Sequence, residues 1–283
     1  MAFSGTGKSL LPLGGGIEDL RLRGAKGGVI RKHRAMVGLE WSTTRVGRAV
    51  LLSLVFTAGV IVALPWLGRF YTMLYEELIW WIGLPAGVGV QEIRVGELLT
   101  IPIPYFRLAA PWPLRFHWVV VGAATAIGLL LSFLLPVKYL PARYFIRFVA
   151  LVQTVSLGFF ALSSPPFLYP LPGYTAGMLT AGIAVLTLIP IVLGFSFYIF
   201  DHSLARQMLL TLLLLGHLAV LLPLQVLIHA WLSHYLSALV QPTMFFVFGL
   251  LVEVLVFVAF YGWAMSWPGE EIPQTQPARR ALR

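Results

Sequence analysis

The sequence predicts an all-α integral membrane protein with six transmembrane helices and both termini on the cytoplasmic side. Composition, apolar run length and the placement of basic residues carry that prediction. Of 283 residues, 59% are hydrophobic and only 11% charged, and the mean hydropathy is +0.86. Soluble domains hold about 25% charged residues, so this chain has too little polar surface to face water all round. Six apolar runs lie near 49–68, 117–136, 145–163, 174–199, 207–230 and 243–266. Each matches the ~20 helical residues that cross a hydrocarbon layer of ~30 Å. Backbone amides in lipid are satisfied within a helix, so the runs read as helices and not strands.

Basic residues set the orientation. With the N-terminus inside, sixteen of the twenty Lys and Arg fall on the cytoplasmic side: nine up to Arg48, then Lys138, Arg143, Arg147, Arg206, Arg279, Arg280 and Arg283. Only Arg69, Arg94, Arg107 and Arg115 fall outside, as the positive-inside rule requires. The formal net charge of +9 therefore records topology and attraction to anionic headgroups, and no nucleic-acid partner is expected. Arg outnumbers Lys sixteen to four and Asn is absent, a composition expected of a bacterial genome rich in G and C. The expected location is the bacterial inner (cytoplasmic) membrane, as a multi-pass protein.

Three segments follow: a basic, Gly-rich cytoplasmic segment over 1–48, a membrane domain over 49–266 and a cytoplasmic tail over 267–283. The first apolar run follows 48 residues and has no A-x-A-like site, so it is expected to stay as an anchor and not to be cleaved. In the outer loop, 69–116, the stretch 69–84 is expected to form an interfacial helix. Glu76 and Glu77 would face water, Phe70, Leu74, Leu78 and Trp81 lipid or protein, with Trp80 and Trp81 at headgroup level. Val90–Val95 and Leu98–Ile103 read as a short β-hairpin with a two-residue Gly96-Glu97 turn. Pro102, Pro104, Pro111 and Pro113 would stiffen the return to the second span.

Motifs for known chemistry are incomplete. SGTGKS at 4–9 ends like a phosphate-binding loop, but Ala2 stands where the motif wants Gly. No strand precedes it, and Leu-Pro-Leu-Gly-Gly-Gly follows where a helix must begin. No nucleotide is expected. Glu76-Glu77 begins like the E-E-x-x-x-R of CAAX-type membrane proteases, but Trp81 replaces the Arg. Gly194-Phe-Ser196-Phe197 departs from the rhomboid G-x-S-G, and the last run has no His to act as base. With Asp19 and Asp201 the only Asp residues, carboxylate clusters that hold Mg²⁺ on phosphate esters are not available. The chain has no Cys, hence no disulfide and no thiolate ligand. No catalytic residue and no cofactor are assigned.

Polar residues inside apolar runs are costly and so become candidates. Glu253 sits near the centre of the last run, in FGLLVEVLVFVAF, and His217 near the middle of the fifth. They form the candidate intramembrane polar pair, able to carry protons or to fix helix register by one hydrogen bond. His117, His229 and His234 fall at the outer surface by topology and are weak candidates for a metal or haem iron. Gln153, Thr154, Gln225, Arg147, Pro190 and Pro223 read as packing features. The expected function is a non-catalytic membrane subunit or scaffold of a larger complex. A transporter or channel subunit using Glu253 and His217 is the alternative, and a membrane enzyme acting on a lipid the next. Expected partners are anionic lipid headgroups at the basic N-terminal segment and proteins at the outer loops 69–116 and 164–173, whose prolines and apolar residues suit contact.

Overall fold

The computed structural model describes residues 43–97, 99–163, 169–197 and 202–267. The SGTGKS stretch, the basic segment up to residue 42, residues 164–168 of the second loop and the tail from 268 lie outside the described residues. Among the described residues, six helices are long and apolar enough to cross a membrane. They are α1 (Thr43–Trp81), α2 (Arg115–Leu134), α3 (Leu140–Leu162), α4 (Leu171–Phe197), α5 (Leu204–Leu236) and a composite sixth segment ending in α6 (Val252–Met265). Between α1 and α2 stands an antiparallel hairpin, β1 (Gly87–Val95) and β2 (Leu99–Arg107).

The first element corrects an expectation. Residues 69–81 are not a separate interfacial helix; they continue α1 without a break. Thirty-nine helical residues rise about 58 Å, nearly twice the hydrocarbon thickness. Arg69 ends the apolar run, yet the helix goes on because a second stripe takes over. Leu64, Gly68, Tyr71, Tyr75 and Ile79 are buried at helical spacing and pack against β2 and the start of α4. Glu76 and Glu77 are exposed, as expected. Phe70 and Trp81 are exposed too, and the buried positions are the tyrosines.

The hairpin is longer than the sequence suggests. Val95 pairs with Leu99 and Gly87 with Arg107, so the connection is three residues, 96–98, and not the two-residue turn expected. Gly96 supplies its positive φ, +65°, which a side chain would resist. Pro102 and Pro104 lie inside β2, opposite Glu92 and Val90. Positions 102, 104 and 106 share one parity, so all three nitrogens point away from β1. Two of them carry no hydrogen, and the third, Phe106 N–H, donates to Thr175 Oγ1 at 3.3 Å. The prolines thus leave β2's outer edge with no unpaired donor at their positions, where it packs on α4.

Packing organises the helices into a body and an arm. α1, α4, α5 and the hairpin share one apolar core around Tyr71, Tyr75, Ile103, Phe106, Leu179 and Val226. A second core at the other end of the same helices gathers Ala49, Leu186, Leu193, Leu210 and Leu214. Gly68 lets β2 touch α1, since a Cβ there would overlap the Pro102 carbonyl oxygen. The arm is the α2–α3 pair. It joins the body through Val121, Phe160 and the turn Ala238–Val240. Ser237 opens that turn with φ 72°, a conformation a non-Gly residue holds only against strain. Its side chain accepts from Leu239 N–H.

Candidate functional site

The sixth segment positions most of the polar groups. It starts with the 3₁₀ turn Ala238–Val240, continues through Gln241–Thr243, and then forms a π-helix over Met244–Leu251 before α6 begins. A π-helix pairs i with i+5, is rare, and often marks functional sites. Here it turns the Phe248 carbonyl toward α5, where Gln225 Nε2 donates to it. The His229 ring also meets that carbonyl.

His229 is almost fully buried and ties three elements together. Its Nδ1 lies 3.0 Å from the Tyr174 hydroxyl and 3.0 Å from the Met178 sulfur, both on α4. The Tyr174 hydroxyl and the ring can each donate or accept in this contact, as the imidazole tautomer dictates. Gly249 makes room for the contact, because a Cβ there would press on the Met178 methyl group. α4, α5 and the π-helix are thereby held in one register by a neutral hydrogen-bonded set.

Glu253 follows directly in the first turn of α6 and is 8% exposed. Its face continues through Phe257, Phe260 and Ala264, which pack on the α5 side. Among the described residues it has no hydrogen bond or ion pair. His217 is on the exposed side of α5, with its ring 5.4 Å from that of Phe260. Phe260 is seven residues beyond Glu253, about 10 Å along the helix, so the structure does not bring the expected pair together. On α5 it is Gln225, one turn from His229, whose side chain bonds the sixth segment.

The three histidines expected at the outer surface are not brought into one site either. His117 Nδ1 accepts from Leu114 N–H at 3.0 Å and closes the first turn of α2. His234 Nδ1–H donates to the Ala109 carbonyl at 3.0 Å. With His229 committed inside the bundle, each ring has its own partner. Among the described residues, no three His, Cys, Asp or Glu side chains form a metal-ligating group.

Other polar residues also bond backbone carbonyls. Gln153 Nε2 and Ser156 Oγ both donate to Leu239 O, at 2.9 and 2.6 Å, and fasten the arm to the Ala238–Val240 turn. Thr154 and Ser196 donate to carbonyls one turn back. Pro223 removes the N–H that would have bonded Ala219 O, and the Tyr71 hydroxyl fills the gap at 2.7 Å. Sequence reasoning missed Tyr71, Tyr174 and Met178, because tyrosine and methionine in apolar runs give no polar signal. It also missed the π-helix, which only packing produces.

No family model matches the chain, and neither a curated protein nor a solved structure is similar to it.

Proposed function

We propose that this chain is a non-catalytic membrane subunit or scaffold of a larger complex in the bacterial cytoplasmic membrane. One observation carries the reading. The end of α1, which rises past what a bilayer needs, is held rigidly on the hairpin yet presents Trp80 and Trp81 to the outside, each 80% exposed. Phe70 and Met73 are exposed on the same extension. Large aromatic residues on an ordered extramembrane support are what protein interfaces use as anchors. The hydrogen bonds of Tyr71, Gln153, Ser156, Tyr174 and Gln225 fit this role, since each fixes one helical segment to another.

The test is purification of the full chain from its native membrane in mild detergent. A stoichiometric partner is expected with the parent and not with Trp80→Glu/Trp81→Glu. A parent that purifies alone would reject the scaffold reading. A transporter or channel subunit is the second reading, favoured by Glu253, buried at the foot of the π-helix without a partner among the described residues.

A further inference from the structure

The α2–α3 turn lies at the end of the arm away from the β-hairpin, and among the described residues its charges meet no carboxylate. Arg143 Nε–H donates to the Ser132 carbonyl at 3.2 Å. Arg147 Nε–H donates to the Ser132 hydroxyl at 3.2 Å. That hydroxyl donates in turn to Leu129 O at 2.6 Å, and Ser132 is fully buried. The Arg147 guanidinium also lies 4.4 Å from the centre of the Phe133 ring. Both guanidinium groups are therefore held through Nε by a single residue, which leaves the paired terminal nitrogens of each for another acceptor. Lys138 stands in the same turn. No Asp or Glu occurs between Glu97 and Asp201, and among the described residues no carboxylate pairs with either Arg. Helix termini account for part of this: Arg143 covers a carbonyl that the end of α2 leaves open. They do not account for two side chains converging on one serine.

Beside this pair is a cleft. It has a volume of about 220 Å³ and lies between α2, α3 and the sixth segment, lined by Val121, Ala124, Gly128, Ile146, Val149 and Phe248 among others. Its walls are almost entirely apolar. Gly128 is one helical turn from Ser132, about 6 Å, and the α2 residues lining the cleft continue for about 12 Å from there. An anionic acceptor at the arginines would thus have an apolar channel opening one turn away, on a neighbouring face of the same helix pair.

We propose that Arg143, Arg147 and this cleft form a binding site for one anionic phospholipid, its phosphate on the two guanidinium groups and an acyl chain in the cleft. Phosphate matches the planar double donor of Arg, and basic pockets between membrane helices are the usual seat of such headgroups. Tyr139 and Tyr144, both exposed near the turn, place it at the level where aromatic residues meet headgroups. The site holds a lipid by shape as well as charge.

The experiment uses the purified full chain in detergent micelles, titrated with phosphatidylglycerol or phosphatidylcholine, with bound lipid counted by native mass spectrometry and the thermal midpoint followed. Phosphatidylglycerol is expected to be retained and to raise the midpoint more than phosphatidylcholine does. Arg143→Gln/Arg147→Gln should weaken it about thirtyfold, about fivefold per Arg, while Arg143→Lys/Arg147→Lys, which keeps the charge and loses the planar double donor, should weaken it less. Gly128→Leu, which fills the cleft and leaves the charges intact, should weaken it too. Equal retention of both lipids by the parent would overturn the proposal. So would protection by inorganic phosphate equal to that by phosphatidylglycerol, since the cleft would then be idle. If the Gln double variant does not fold, Gly128→Leu decides: unchanged phosphatidylglycerol affinity overturns the site.

Discussion

Tyr71→Phe removes one oxygen from a side chain with no exposed surface. The phenyl ring stays, so the apolar contacts with Ile103 and Phe106 in the hairpin-end core remain. What is lost is the 2.7 Å hydrogen bond to Ala219 O. That carbonyl has no helical donor, because position 223 is proline and lacks an N–H. Hydrogen bonds between membrane helices average about 0.6 kcal/mol and reach about 1.7 kcal/mol. This one should lie at the upper end, since its loss leaves a carbonyl without any donor. We expect a cost of about 1.5 kcal/mol. Pro223→Ala supplies the missing N–H and lets Ala219 O bond within α5. In that background Tyr71→Phe should cost about 0.5 kcal/mol or less, a coupling of about 1 kcal/mol. The assay is reversible unfolding of the four members of the cycle in mixed micelles. Additivity within about 0.5 kcal/mol, the behaviour of independent sites, would refute the idea that Tyr71 replaces the donor Pro223 removes.

Other outcomes are expected from the same structure. Gly68→Leu should prevent the hairpin from closing on α1, because its Cβ meets the Pro102 carbonyl. A loss of several kcal/mol, typical of overpacking against backbone, would show as rapid proteolysis between α1 and α2, and full resistance would contradict the close approach. Glu253→Gln and Glu253→Leu separate packing from proton carriage. If Glu253 serves packing alone, Gln and Leu are both nearly silent, since neither removes a hydrogen bond, whereas a phenotype lost with Gln at normal protein level points to titration and the transport reading. The chain has no Cys, so single cysteines report topology without background. Gly96→Cys should react with an impermeant maleimide from outside and Ala142→Cys only after the membrane is opened, and the reverse result would invert the assigned orientation. Lys8→Ala should leave ATP binding at background, and saturable binding that Lys8→Ala abolishes would restore the phosphate loop.

Much of the architecture was legible because membrane helices are written in one dimension. A run of ~20 apolar residues forms a helix almost regardless of its neighbours, and the runs at 117–136, 145–163, 174–199 and 207–230 sit inside or within a few residues of α2 to α5. Two boundaries went wrong where the rule stops applying. Past Arg69, lipid no longer decides, and the Tyr71, Tyr75 and Ile79 stripe keeps α1 helical through contact with β2. At the hairpin, alternation located the strands, but register comes from pairing with a partner residue by residue, which added Gly87–Gly89 and Pro104–Arg107.

The candidate site divides in the same way. Glu253 announced itself because a carboxyl group among leucines and valines is a local anomaly. Its partner could not be read, since depth along a span places a residue on the axis but leaves its azimuth open. His217 has a suitable depth and faces the wrong way, while Gln225 and His229, on the buried side of α5, reach the sixth segment. By itself, then, the sequence determined the helical class and the number of candidate spans, both set by the transfer of single side chains between water and lipid. The tertiary structure alone decided the length of α1, the π-helix and the assembly of Tyr71 on Ala219, His229 on Tyr174, and Arg143 with Arg147 on Ser132. Each of these depends on how far one helix is rotated against another, a quantity no single run of residues contains.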